Sequence, residues 1–139
     1  MELIFYLDTS IWIDLYEDRK GFNGEPLGDY AWDLLAFIMA QRHKVVISDE
    51  LIRELLLRYP LEAINGMMKP FENLFIKVIF TAAQISEAKL LSKERLVPVS
   101  DALHAIIARG NGCIMIARDK HFLELDDISP HYKPEEIFI

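Results

Sequence analysis

Short apolar runs divided by helical patterns organise the chain. Four of these runs predict strands, at Leu3–Leu7, Val45–Ile47, Leu74–Phe80 and Cys113–Ile116. A run without polar alternation is typical of a parallel sheet that is covered on both faces. Ile137–Ile139 predicts a last strand at an edge of the sheet.

Helical patterns lie between these runs, and hydroxyl residues suited to N-caps precede several of them. The predicted caps are Ser10, Ser48, Thr81 (with Gln84 completing a capping box) and Ser100. Tyr30–Arg42 predicts a further apolar helix, and Leu61–Glu72 is ambiguous. The alternation predicts an α/β fold with three layers, α/β/α, and a mostly parallel central sheet.

Length and composition fit one globular domain over residues 1–139, because 52% of the residues are hydrophobic and 27% are charged. Runs such as Leu34–Ala40 are much shorter than the roughly 20 residues of a membrane span. We expect no membrane association, no signal peptide and a cytoplasmic location. A single cysteine, Cys113, excludes an internal disulfide and a cysteine-rich metal site.

The net charge of −7 argues against a broad basic surface that holds nucleic acid through its phosphates. It does not exclude an enzyme that acts on nucleic acid, because carboxylates clustered around metal ions also make a chain acidic. Net charge alone therefore decides little about function.

Four acids have positions that the predicted topology makes special. Asp8 and Asp119 each come directly after an apolar strand, so both are expected at the same edge of the sheet. Asp101 lies in the first turn of a helix that leads into a strand, and Glu54 lies on the second turn of the helix after Ser48. We expect all four carboxylates to meet in one crevice.

Carboxylates in one crevice repel one another unless a cation lies among them. Mg²⁺ or Mn²⁺ is the predicted cofactor, because both take oxygen ligands and can activate water for phosphoryl displacement. Each acid also has a purely structural interpretation: Asp8 as a helix cap, Asp101 as a first-turn acid, Glu54 as the partner of Arg58, and Asp119 as a turn residue.

Four segments in this order resemble the acidic motifs of PIN domains, most closely those of the small VapC-like toxin ribonucleases. They are Leu7-Asp8-Thr9-Ser10, Ser48 with Glu54-Leu55, Asp101-Ala102-Leu103-His104-Ala105, and Ala117-Arg118-Asp119-Lys120-His121-Phe122. The resemblance covers essentially the whole chain. Ala117 departs from it, since many relatives have Thr or Ser there.

The resemblance implies a PIN-like fold and a metal-dependent endoribonuclease that hydrolyses RNA. It implies Asp8, Asp101 and Asp119 as metal ligands, with Glu54 completing the catalytic group. Ser10 matches a hydroxyl residue that helps to shape such sites. It also implies a homodimer and, for a toxin, a cognate antitoxin.

Other residues have two interpretations each. Arg118 and Lys120 flank Asp119 and are candidates for phosphate contact or ordinary surface charges. His104 is a candidate for substrate contact, although packing against the sheet is the favoured interpretation.

Alternative functions remain at this stage. They are a catalytically silent scaffold for binding or assembly, an RNA-processing nuclease without an antitoxin, and a phosphatase or phospho-acceptor domain. The phosphatase is disfavoured, because Ser10 stands where a phosphatase motif has a second Asp. The phospho-acceptor domain is disfavoured, because it expects its key Asp on a middle strand and the segment after Val45–Ile47 fits that poorly.

Overall fold

The computed structural model describes residues 1–138, and its strands form one sheet in which every pairing is parallel. The strands are β1 (Ile4–Leu7), β2 (Lys44–Ser48), β3 (Phe75–Val78), β4 (Ile114–Ile116) and β5 (His131–Tyr132), in the order β3-β2-β1-β4-β5. The α-helices are α1 (Thr9–Glu17), α2 (Leu27–Ala40), α3 (Asp49–Leu56), α4 (Leu61–Met68), α5 (Ala82–Arg95) and α6 (Val99–Gly110). Shorter 3-10 helices cover Lys69–Leu74, Lys120–Leu125 and Pro134–Glu136.

The central strand β1 shows why the fold has three layers. Phe5 and Leu7 belong to the core that the sheet forms with α1, α2, α3 and α4. Tyr6, between them, belongs to the opposite core, formed with α5 and α6. Because successive side chains of a strand point to opposite faces, a strand that is apolar throughout needs helices on both sides. The predicted α/β/α class is confirmed.

The register of the strands places several chain segments at one edge of the sheet. Leu7 pairs with Ile116, and the next N–H, that of Asp8, donates to the Ile116 carbonyl at 2.9 Å. Ser48 ends β2 and accepts a hydrogen bond from the Leu51 N–H, which confirms its predicted role as the cap of α3. The residues that follow β1, β2 and β4 therefore begin at the same edge.

The predicted strand at Ile137–Ile139 is wrong in position. The last strand is β5, and its residues pair with Met115 and Ile116 of β4. Ile137 and Phe138 are instead half-buried against the core that the sheet forms with α1, α2, α3 and α4. Ile139 lies outside the described residues. Their apolar character reflects packing of side chains rather than strand pairing.

Two predicted caps are also wrong. Asp8, not Ser10, caps α1, because its carboxylate accepts from the Ser10 N–H. Helix α6 begins at Val99 after Pro98, so Ser100 already lies inside it. The capping box of Thr81 and Gln84 at the start of α5 is confirmed.

Within residues 1–138, every helix is too short or too polar to cross a membrane.

Candidate functional site

The four predicted acids lie at the carboxyl edge of the sheet or on helices that begin there. Asp8 follows β1 and is buried, and Asp119 follows β4 and is partly exposed. Asp101 lies in the first turn of α6, and Glu54 lies on the second turn of α3. The polar atoms of these acids and of two histidines form two adjoining groups.

The first group contains Asp8, Glu54 and His104, with one potential ligand atom from each residue within 4.8 Å of the others. Glu54 Oε1 accepts from Thr9 Oγ1 at 2.6 Å and lies 2.5 Å from His104 Nε2. Asp8 Oδ2 accepts from Ser10 Oγ at 2.7 Å. Hydrogen bonds from the chain's own donors thus fix both carboxylates.

The second group contains Asp101, Asp119 and His121, again with ligand atoms within 4.8 Å of one another. His121 Nδ1 lies 3.1 Å from Asp101 Oδ2 and 3.0 Å from Asp119 Oδ1. Asp119 also caps the 3-10 helix that follows it, since its Oδ1 accepts from the His121 N–H at 2.8 Å. This group joins the first turn of α6 to the segment that follows β4.

Electrostatic repulsion links the two groups. Burial, together with the charges of Asp8 and Asp119, raises the pKa of Asp101 from an ordinary value of 3.8 to about 6. Burial also raises the pKa of Asp8, and the charge of Glu54 acts in the same direction. Acids that raise one another's pKa share one electrostatic environment, which a cation would stabilise.

Glu54 differs from the other acids. Burial raises its pKa, but the hydrogen bond and the charge of His104 more than offset this, and the pKa of Glu54 falls to about 2. Burial lowers the pKa of His104, yet its hydrogen bond to Glu54 and the charge of Asp8 leave that pKa above its ordinary value. Glu54 therefore stays ionised across the physiological range of pH.

This set of donors fits a divalent cation. Carboxylate oxygens are the preferred ligands of Mg²⁺ and Mn²⁺, and an imidazole nitrogen is compatible with Mn²⁺ and other transition metals. The raised pKa of Asp101 supports this fit, because a bound cation would relieve the repulsion that raises it.

The other predicted contacts with substrate have different surroundings. Ser10 lies in the site, where its hydroxyl donates to Asp8. Arg118 does not join the acids: its guanidinium donates two hydrogen bonds to Glu135, at 2.9 and 2.6 Å. Lys120 is exposed at the start of the 3-10 helix after Asp119.

The structural interpretations of the acids are decided individually. Asp8 and Asp119 do cap helices, in agreement with the structural interpretation of each as a cap or turn residue. The prediction that Glu54 pairs with Arg58 is wrong. Arg58 donates hydrogen bonds to Glu17, while Glu54 bonds to Thr9 and His104.

Two histidines join the site: His121, which was not predicted there, and His104, for which packing was the favoured interpretation and substrate contact the alternative. His104 is completely buried and packs edge-on against Tyr6, as the favoured interpretation predicts, but it also reaches Glu54. His104 comes three residues after Asp101, on one side of α6, and His121 comes two residues after Asp119. These short spacings from Asp101 and Asp119 are the features of the sequence that could have placed the two histidines in the site.

Comparison with known proteins gives matches only among solved structures. VapBC2 from Rickettsia felis, bound to a DNA fragment from its promoter, is 16% identical with a TM-score of 0.68, over 94% of this chain and 98% of that one. A toxin–antitoxin complex from Klebsiella pneumoniae is 17% identical with a TM-score of 0.63, over 94% and 97%. FitAcB from Neisseria gonorrhoeae is 15% identical with a TM-score of 0.59, over 97% and 100%. The chain shares their fold.

No family model and no curated protein matches the chain. The resemblance to PIN domains of the VapC-like toxin type is therefore corrected. The matched structures are only 15–17% identical to this chain, and a likeness at that level shows the fold alone. A parallel sheet covered by helices is not specific to PIN domains, and four short acidic motifs do not establish a family.

Proposed function

We propose that the protein is a divalent-metal-dependent ribonuclease that belongs to a toxin–antitoxin pair. The observation that carries the proposal is the convergence of four carboxylates and two histidines at the edge of the sheet. The fold likeness to complexes described as VapBC2 and toxin–antitoxin supports the biological setting.

Asp8, Asp101 and Asp119 would hold Mg²⁺ or Mn²⁺. The cation, when bound, would lower the pKa of a water and offset the negative charge of a phosphodiester. Glu54 is a weak base with a pKa of about 2, so it acts by accepting a hydrogen bond and orienting the attacking water. Ser10 holds the Asp8 carboxylate in place through the bond to Oδ2.

RNA in single-stranded form is the proposed substrate. The net charge of −7 disfavours the many phosphate contacts by which basic proteins bind along a nucleic-acid duplex. A short single strand needs contact only at the scissile phosphate and its neighbours, where a metal-bound site supplies the positive charge.

The proposed partners are an antitoxin and a second copy of the chain. Light scattering that gives the mass of two 16.1 kDa chains would support the homodimer, and a mass of one chain would contradict it. Purification of the chain together with the product of a neighbouring gene would support the antitoxin.

The test is cleavage of labelled single-stranded RNA by purified protein with added Mn²⁺ or Mg²⁺. We expect cleavage that EDTA and Asp8→Asn both abolish. Asp33→Asn is the matched control, because it makes the same chemical change on the exposed face of α2 and should leave cleavage intact. Cleavage that survives EDTA or Asp8→Asn would refute the metal mechanism.

A single-stranded DNA of the same sequence tests the substrate class. Equal cleavage of DNA would contradict the preference for RNA. A protein that neither cleaves nor binds divalent cations in calorimetry would instead be a silent scaffold.

A further inference from the structure

A continuous series of hydrogen bonds, buried except for the last, which is partly buried, joins the start of α3 to Glu54 on its second turn. The Leu51 N–H donates to Ser48 Oγ at 3.1 Å, and Ser48 Oγ lies 2.6 Å from the Tyr6 hydroxyl. That hydroxyl lies 2.6 Å from His104 Nδ1, and His104 Nε2 lies 2.5 Å from Glu54 Oε1. The series runs from α3 to Ser48 at the end of β2, then to β1 and α6, and back to α3.

The chemistry of the members fixes the direction of the last bond. Glu54 is ionised, so it only accepts hydrogen bonds, and the proton between it and His104 belongs to Nε2. In a neutral imidazole, Nδ1 then accepts from Tyr6, which in turn accepts from Ser48. In an imidazolium, Nδ1 donates to Tyr6 instead. His104 Nε2–H donates to Glu54 in both charge states.

Both ring nitrogens of His104 are already engaged within the protein. Nδ1 faces Tyr6 and Nε2 faces Glu54, and the ring is completely buried. Although the ring lies close enough to Asp8 and Glu54 to belong to a group that could hold a metal, it has no nitrogen left for a cation. These contacts favour a role that acts through Glu54.

We infer that His104, held by Tyr6, is a positioning residue that fixes the Glu54 carboxylate for its role toward the attacking water. The inference rests on the proposed function for that role. The Glu54 side chain is 23% exposed and has several rotatable bonds, whereas the imidazole beneath it is fully enclosed. A rigid donor that holds a mobile acid is the usual way in which an enzyme keeps a reactive group in its productive rotamer.

Variants of His104 separate a donor role from simple packing. His104→Leu keeps an apolar side chain but removes the donor, and we expect kcat to fall about 10- to 100-fold while the KM for RNA stays unchanged. His104→Gln can present an amide N–H near the position of Nε2, so it should restore much of that loss. Tyr6→Phe removes the support of the ring and should lower kcat less than His104→Leu.

The matched control is His43→Gln. His43 is also a buried histidine, and its Nδ1 accepts from the Leu3 N–H at 3.0 Å, outside the candidate site. We expect this variant to lose stability but to keep kcat. A kcat for His104→Gln as low as that for His104→Leu, or an equal loss of kcat in His43→Gln, would overturn the inference.

Nitrogen-edited NMR of the metal-free protein tests the contact without reference to activity. We expect an exchange-protected proton on His104 Nε2 whose resonance shifts in Glu54→Gln. Absence of that proton, or a resonance that ignores Glu54→Gln, would overturn the inference even in an active nuclease. If the resonance behaves as expected but wild-type protein cleaves no RNA, the proposed function fails and the contact between His104 and Glu54 is supported.

Discussion

Substitution of Asp101 by asparagine should stabilise the metal-free protein. Burial and the charges of Asp8 and Asp119 together raise the pKa of Asp101 to about 6. At neutral pH the carboxylate is therefore ionised in surroundings that disfavour its charge. Asp101→Asn keeps the size of the side chain and removes that charge.

The size of the effect follows from the difference between the folded and ordinary pKa values of Asp101, about 6 and 3.8. At 1.36 kcal/mol for each unit, ionised Asp101 costs the folded state roughly 3 kcal/mol above about pH 7. Part of this cost comes from burial of a polar group, which asparagine retains, so we expect a gain of about 1–3 kcal/mol.

The dependence on pH has a defined sign. A carboxyl group whose folded pKa is raised binds protons more tightly when folded, so its penalty disappears as the pH falls through about 6 towards 4. Glu54 acts in the opposite direction, but its pKa is lowered from 4.5 to about 2, so its contribution is lost as the pH falls from about 4.5 towards 2. As the pH falls from neutral, the free energy of unfolding of the wild type should therefore approach that of Asp101→Asn.

The measurement is urea denaturation in EDTA between about pH 4.5 and pH 8, with Asp33→Asn as the exposed control that should stay within about 0.5 kcal/mol of wild type. Saturating Mn²⁺ should cancel or reverse the difference, because a cation at a hundred times its Kd adds about 2.7 kcal/mol to the protein that binds it. A metal-free Asp101→Asn that is less stable than wild type at neutral pH would refute the repulsion on which the candidate site depends.

Three further substitutions test the fold around the site. Ser48→Ala removes the cap that accepts from Leu51 and should cost about 1–2 kcal/mol in chemical denaturation. Trp12→Ala should cost about 3–5 kcal/mol in the same measurement, because Trp12 is the largest completely buried side chain. Arg118→Ala should lower the free energy of unfolding by about 1–3 kcal/mol, because it leaves Glu135 without its partner. The KM for RNA should not change. A raised KM would indicate that Arg118 contacts the substrate.

The layout of the site could be predicted because it depends on strand ends, which apolar runs mark clearly. Asp8 and Asp119 come directly after such runs, and parallel pairing of β1 with β4 then places both at one edge. The caps at Ser48 and Thr81 were also predictable, since each depends on residues within three positions.

The last strand could not be predicted from apolar character. His131–Tyr132 is too short to show alternation, and it pairs with β4 through backbone groups that any residue possesses. Ile137 and Phe138 have the apolar pattern but use it for packing. A two-residue strand is defined by its neighbour rather than by its own residues.

The histidines were missed for a different reason. His104 stands in an apolar stretch of α6, where burial was the natural interpretation, and burial is correct. Its bond to Glu54 depends on how α3 and α6 pack against each other. A local sequence pattern does not predict that packing. His121 likewise reaches Asp101 only through the tertiary fold.

The structural and functional interpretations of the acids do not compete, because each carboxylate has two oxygens. Asp8 uses Oδ2 for Ser10, Asp119 uses Oδ1 for the N–H of His121, and Glu54 uses Oε1 for its donors. Within residues 1–138, the other oxygens of Asp8 and Asp119 accept no hydrogen bond from the protein. A cap that holds one oxygen fixes the direction of the second. For Asp8 and Asp119, the bonds that explain each acid as a helix cap are thus the bonds that would prepare it for a cation.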